Sequence, residues 1–457
     1  MLKKSVFIFR RDLRLNDNSG LIAAMEASES VIPLFIVDPL LLSRWPNAVA
    51  RLTFLAQALK NLDGALTKHK SRLLVIDGDP AEVIENLVAN HSVDGVFINR
   101  DYTPLSRRRD RAIGDFCQQN GIQFSQHSDQ LLNEPEWVSK PDGKPYTIFT
   151  PFFKKARQLQ ISAPRNFPRS NFETVNPNHS VSTSKLGKYV EENAERQSSS
   201  GSMQLEHIEN LGDYDSSKDI PGIVGTTRLS AYLRFGLVSV REVYQTVFAN
   251  HSASHGVIRQ LYWRDFYVHI GYHFPHVYHA PFREKYRDLI WDDNPSGLHL
   301  WQQGKTGFPI VDAGMRELRA TGYMHNRVRM ITAAFLTKNL HIDWRLGEAH
   351  FGNFLIDYDP ALNNGNWQWS ASTGCDAQPY FRVFNPWRQQ KRFDPDCQYI
   401  KRWIPELESF TAKEIHSLEK NDGRYLTQIV DLKLSAEQSK ARFKAVAMKQ
   451  SEQLFTG

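Results

Sequence analysis

The chain has 457 residues, 41% of them hydrophobic and 23% charged, with a formal net charge of +6. At about 100–200 residues per domain, that length implies two or three domains with sizeable cores and excludes a disordered tail protein or a small disulfide scaffold. The mild positive balance confines any nucleic-acid contact to a local patch.

Up to about residue 130, short apolar runs alternate with amphipathic stretches. Ser5–Phe9, Val31–Asp38, Arg72–Gly78, Asp94–Asn99 and Ile122–His127 read as buried strands, and Ala48–His69, Pro80–Ala89 and Leu105–Asn120 as helices between them. Near-continuous apolar strands alternating with helices predict an α/β domain with a doubly wound parallel sheet, its ligands at the carboxyl ends of the strands. The first strand is followed by the polar loop Arg10–Asn18 and not by GxGxxG, which argues against a dinucleotide held in the usual Rossmann manner. The N-terminal run reads as a strand and not as a leader, and no stretch approaches membrane-spanning length. Cys117, Cys375 and Cys397 are too few for a four-thiolate metal site. A soluble cytoplasmic protein is expected, nucleoid-associated if prokaryotic.

The stretch from about Pro164 to Gln204, rich in Ser, Asn and Pro, reads as a linker. From Met203 the apolar residues recur at helical spacing, predicting an all-α domain. The expected division is therefore 1–130 for the α/β domain, 131–202 for the linker and 203–457 for the helical domain.

Four segments of that domain could carry chemistry. In GTTRLSAYLRFG, Thr226 and Thr227 read as helix N-caps, and the helix N-terminus with Arg228 and Ser230 nearby offers an anion site, although simple capping explains the threonines equally well. In RQLYWRDFYVHI, Gln260, Trp263 and Arg264 combine a base-edge hydrogen bonder, a stacking surface and a cation, the mixture that reads an unstacked base; core packing explains the aromatics equally well. In HNRVRM, Asn326 and Met330 share a helix face flanked by Arg327 and Arg329. In IDYDPALNNGNWQW, Asp357 and Asp359 suit hydrogen bonding to a polar cofactor, Asn363 and Asn364 before Gly365 read as a turn, and Trp367 and Trp369 have loop or strand spacing. His269, His273, His276 and His279 permit a metal only on an unbroken helix, which Pro275 interrupts, so no metal is expected. No GxSxG, Walker loop or HExxH occurs.

Taken with the loop FRRDLRLNDN and the run GKTGFPIVDAGMRELRATGYMHNRVRM, these segments resemble the DNA photolyase/cryptochrome family from the first strand to about Leu407. The similarity is greatest to class I cyclobutane pyrimidine dimer photolyases. That resemblance implies FAD in the helical domain, held at Tyr214, Thr226, Thr227, Arg228, Leu229, Ser230, Arg264, Asn326, Arg329, Asp357, Tyr358, Asp359 and Asn363. Asn363 stands where the family sets an amide against flavin N5. It implies UV-damaged DNA as partner, with the lesion and DNA met by Lys218, Gln260, Trp263, Arg327, Met330, Trp369, Arg382 and Gln389. It implies an electron route through Trp291, Trp344 and Trp367, and light-driven electron transfer from reduced FAD to the dimer by a monomer.

Three positions depart from the pattern. Gln260 replaces the usual glutamate and is more typical of (6-4) enzymes, but Asn326 and Met330 stand where those enzymes place histidines. Lys218 replaces an arginine, keeping charge and losing the fork, and Val257 sits where a tryptophan is common. Leu105 and Ser106 replace the pair that marks a folate antenna, so a flavin or deazaflavin, or no antenna, is implied. A cryptochrome-type receptor and (6-4) repair are the alternatives; a receptor would be favoured by a long C-terminal tail, whereas only Ala412–Gly457, with a helical pattern, follows the family core. A dark oxidoreductase lacks a nicotinamide fingerprint.

Overall fold

The structure is a computed structural model that describes residues 1–44, 46–166, 168, 170–174, 179–191, 205–206, 208, 213–251 and 255–455. Much of the expected linker, including its QSSSGS run, lies outside the described residues. The chain divides into two compact units: Met1–Leu211 with Thr227–His273, and Gly212–Thr226 with Phe274–Gly457.

The first unit is built on five parallel strands, β1 (Leu2–Phe9), β2 (Ser28–Val37), β3 (Leu74–Asp77), β4 (Gly95–Asn99) and β5 (Gln123–His127), in the order β3-β2-β1-β4-β5. β1 pairs with both β2 and β4, and its Val6, Phe7, Ile8 and Phe9 are almost wholly buried, as a strand covered on both faces requires. The crossovers carry α1 (Ser19–Ala27), α2 (Pro39–Arg44), α3 (Val49–Thr67), α4 (Pro80–His91) and α5 (Pro104–Gln119). Asp79 caps α4 and Thr103 caps α5, each with proline in the first turn. The helix α1 is short, and its N-terminus is set by Asn18, whose side chain accepts from the Leu21 amide; the sequence pattern did not reveal it.

After β5 come α6 (Phe149–Ala156) and α7 (Gly187–Glu191). The segment Thr227–His273 also belongs to this unit and supplies α9 (Ser230–Phe235), α10 (Val240–Asn250) and α11 (Gly256–His273), whereas the sequence pattern runs a helical domain on from residue 203. Buried polar anchors account for this. Arg241 of α10 binds Asp17 at 2.9 Å and Asp129 at 2.8 Å, Arg14 also binds Asp129, and Asp265 of α11 accepts the amides of Leu132 and Asn133. His269 of α11 is buried and contacts the carbonyls of Pro135 and Tyr146.

The second unit is helical: α8 (Tyr214–Ser217), α12 (Pro295–Gln303), α13 (Pro309–Thr321), α14 (Asn326–Ala334), α15 (Trp344–Phe354), α16 (Pro360–Ala371), α17 (Pro386–Phe393), α18 (Gln398–Trp403), α19 (Ala412–Ser417) and α20 (Leu432–Phe455). Its core includes the wholly buried Trp301, Phe308, Met315 and Leu318. A π-helical turn, Phe335–Asn339, extends α14 and carries Lys338, whose ammonium lies 3.6 Å from the ring centre of Phe443 on α20. Arg442 of α20 forks onto Asp292 at 2.6 and 2.9 Å.

Candidate functional site

In the second unit, α14 and α16 bring most of the expected residues together. Asn326 and Met330 do share a face, with Nδ2 3.9 Å from Sδ. Arg329 places both terminal nitrogens on Asp357 at 3.2 and 2.9 Å and donates through Nε to the Met324 carbonyl. Burial opposes the charge on this guanidinium, yet Asp357 holds its pKa above the ordinary arginine value.

Asp359 accepts the amides of Ala361 and Leu362 and is the N-cap of α16, with Pro360 behind it. The expected turn at Asn363–Gly365 and the loop or strand spacing of Trp367 and Trp369 are therefore corrected: all lie on this one helix. The turn-like polar residues are satisfied from outside it, since Asn364 and Gln368 both donate to the Val277 carbonyl at 2.9 Å. Asn363 is 8% exposed and donates through Nδ2 to the carbonyl and carboxylate of Glu348, both at 3.1 Å.

The three tryptophans of the expected electron route lie on connected segments. Gly347 of α15 lies so close to the Trp367 ring that a Cβ there would fall 2.1 Å from Cη2. Trp344 begins α15, is 1% exposed, and its Nε1 has no hydrogen-bond partner among the described residues. Three residues earlier, the His341 carbonyl accepts the Asp292 amide, and Trp291 precedes that residue, half-buried against Tyr286, Leu289 and Phe443.

The remaining expected residues of this unit have other surroundings. Arg327 binds Asp219 at 2.9 Å and covers the Phe393 ring, and Lys218 pairs with Asp215. Tyr214 is buried, which with nearby Asp215 and Asp219 pushes its hydroxyl up to about 12. Thr226, Trp369 and Gln389 are half-buried, Tyr358 is buried and Arg382 is exposed.

In the first unit, Gln260 is exposed on α11, and Trp263, one turn on, is half-buried. Arg264 donates to the Gln130 carbonyl. Asp265 is buried, which raises its pKa to about 7 against the opposing pull of Arg264 and two backbone amides. Thr226 and Thr227 are not N-caps. The helix begins at Ser230 behind Leu229, which makes no side-chain cap, and Arg228 is exposed with φ +48°. Thr227 instead folds back to accept the Leu229 amide.

At the carboxyl ends of the strands, Arg10 binds Asp110 and the Asn99 carbonyl, and Asn99 donates to Asp12 and Asn18 at 2.6 and 2.7 Å. Just past β2, a cavity of about 540 Å³ is lined by Pro39, Leu42, Leu52, Tyr189, Lys185 and Lys188. Among the described residues there is no group of three or more His, Cys, Asp or Glu that could hold a metal, and no helix is long and apolar enough to cross a membrane.

Sequence reasoning missed Glu348 and Phe149. Glu348 stands in a helix with no motif signal of its own, and Phe149 lies in the stretch assigned to a linker, although the run IFTPFF was its visible sign.

Residues 257–445 match the family described as the FAD binding domain of DNA photolyase, and residues 5–170 match DNA photolyase. The chain is 37% identical over 465 residues, 96% of each chain, to the deoxyribodipyrimidine photo-lyase of Synechococcus. Its structure is similar to that of an archaeal photolyase from Sulfolobus tokodaii with two FAD molecules, at a TM-score of 0.88 and 37% identity over 97% of this chain and all of that one. It is also similar to a bacterial class III photolyase from Agrobacterium tumefaciens, at a TM-score of 0.89 and 33% identity over 98% of both.

Proposed function

The chain belongs to the DNA photolyase family, and on that premise we propose that it is a deoxyribodipyrimidine photo-lyase, using FAD and light to split cyclobutane pyrimidine dimers in DNA. The observation that carries this reading is the Asn363 amide. Its Nδ2 is committed to two Glu348 oxygens, one of them the backbone carbonyl, which can only accept, so the amide orientation is chemically fixed. The Oδ1 of this buried residue makes no hydrogen bond to the described residues and is left to accept. An acceptor in that place suits a flavin protonated at N5, the reduced form that repair requires. FAD, once bound and reduced, supplies the light-driven electron.

The chain's own residues position and insulate. Arg329 and Asp357 offer a fixed guanidinium–carboxylate pair for the polar edge of the flavin ring. Asn326, Tyr214, Tyr358, Asp359 and Thr226 are the further FAD contacts proposed within the second unit. Trp367, Trp344 and Trp291 carry electrons inward during photoreduction.

In the first unit, Trp263 stacks against the extruded lesion and Gln260 faces it; in the second, Trp369 and Met330 are proposed DNA contacts. Lys218, Arg327, Arg382 and Gln389 hold the DNA strand. An antenna of flavin or deazaflavin chemistry is assigned to the carboxyl ends of the strands, where the cavity past β2 offers apolar walls and two lysines. The protein acts as a cytoplasmic monomer.

The deciding assay presents cyclobutane dimer and (6-4) substrates side by side to reduced, FAD-loaded protein, lit and dark. Light-dependent loss of the dimer alone is expected. No loss of either lesion overturns repair, and loss of the (6-4) lesion alone reassigns Gln260.

A further inference from the structure

We propose that Phe149 is a positioning residue for lesion recognition, holding the Trp263 indole as a flat, fixed stacking surface. The inference rests on the assignment of Trp263 to the lesion pocket and extends it to a residue outside every sequence motif. Phe149 opens α6 and is 1% exposed. Its ring lies 3.6 Å from that of Trp263, centre to centre, at an interplanar angle of 6°. This is the only near-parallel contact recorded for the indole among the described residues. The other two, with Phe266 at 81° and Tyr267 at 32°, come from its own helix.

The support continues behind Phe149. Phe153, one turn further along α6, stacks on it at 14°, and Phe266 meets it edge-on at 76°. The Arg259 guanidinium lies 4.9 Å from the Phe149 ring centre and 5.4 Å from that of Phe153. Arg259 and Trp263 are one turn apart on α11, so a single helix face grips the Phe149 ring at two points.

An indole backed on one face by a ring locked in the core cannot turn edge-on. The immobilisation that lesion binding would otherwise impose is already complete, which raises affinity without adding a contact to DNA. The benefit is confined to a flat pyrimidine pair stacked on Trp263. Contacts to phosphate, which dominate binding of undamaged DNA, are indifferent to it.

The test uses the full-length, FAD-loaded protein and measures its affinity for an oligonucleotide carrying one cyclobutane thymine dimer and for the undamaged counterpart. Phe149→Leu should lower dimer affinity about tenfold, equivalent to about 1.4 kcal/mol, and leave undamaged affinity within about twofold. Phe149→Tyr, which restores the stacking face, should recover dimer affinity. Should Phe149→Leu fail to fold, Arg259→Gln replaces it, with a loss of about threefold expected in the same dimer-to-undamaged ratio. Trp263→Ala losing dimer preference while Phe149→Leu, or its replacement, keeps it overturns this proposal alone. Equal losses on both DNAs overturn it too, as the mark of a merely structural role. A wild type without dimer preference, or Trp263→Ala retaining it, overturns the assignment of Trp263 and this proposal with it.

Discussion

Arg329 and Asp357 meet through two hydrogen bonds of 3.2 and 2.9 Å, tying the middle of α14 to the segment that enters α16. The carboxylate is almost wholly buried and the guanidinium is about a quarter exposed, so removing one partner strands a charge that water only partly reaches. Asp357→Asn is therefore expected to lower folding stability by about 2–4 kcal/mol and to reduce flavin retention. Denaturant midpoints and the flavin-to-protein absorbance ratio of purified protein check both.

Asp265 makes stability fall as pH rises. The unfolded carboxyl gives up its proton near 3.8 and the folded one keeps it to about 7, so the neutral form's contribution is complete below the first value and lost above the second. Its Oδ1 has no hydrogen-bond partner among the described residues and its Oδ2 accepts two amides, an arrangement asparagine can reproduce. Asp265→Asn should gain about 2–3 kcal/mol relative to wild type between pH 5 and pH 8, a difference read from chemical denaturation at the two pH values. His269, which burial lowers to about 4, acts in the opposite sense. Its contribution is present above pH 6.5 and is lost as pH falls through 4, so it must be common to both proteins for the comparison to hold.

Replacing Trp367 with Phe keeps a ring between Phe351, at 4.9 Å, and Trp301, at 6.1 Å, while removing the readily oxidised indole. Photoreduction of oxidised flavin should slow by more than about tenfold, whereas repair by chemically reduced enzyme should stay within about twofold. Transient absorption and a single-turnover repair assay separate the two. Equal loss in both would assign Trp367 to the repair step itself.

Gln260 is exposed, so Gln260→Glu should leave stability within about 0.5 kcal/mol. The carboxylate restores the group that the resemblance to class I enzymes implies at this position, and the dimer repair yield per absorbed photon should rise. An unchanged or lower yield removes the account given for this position.

The strands β1, β2 and β4 were legible in the sequence because strands covered on both faces must be apolar at nearly every position, and their ends deviated by only a few residues; β5, expected as a buried strand, is an edge strand with no buried residue. The helix α16 was not legible. Asn363, Asn364 and Gly365 carry the chemistry of a turn, and the oxygens of Glu348 that take up Asn363, with the carbonyl of Val277, 87 residues away from Asn364, make that chemistry compatible with a helix. Thr226 and Thr227 failed in the opposite way: a good capping residue is not a cap unless the chain turns there, and it turns behind Leu229. The motif residues Asn326, Arg329, Asp357 and Asn363 were readable as chemistry. Their partners Met324 and Glu348 were not, because a backbone carbonyl has no letter of its own and a single glutamate in a helix is commonplace.

The division of the chain into two units has a consequence for its synthesis. Neither unit is a continuous stretch of sequence: Thr227–His273 belongs to the unit that the first strands begin, and residues 213–226, made before it, belong to the other. A ribosome releasing the chain from its N-terminus must therefore expose His273 before the sheet unit has all its parts, while the residues preceding Thr227 wait for helices not yet made. Cutting the gene at residue 203 would leave the first fragment without Thr227–His273 and burden the second with that segment, and a split that returns Thr227–His273 to the first fragment should yield a soluble half.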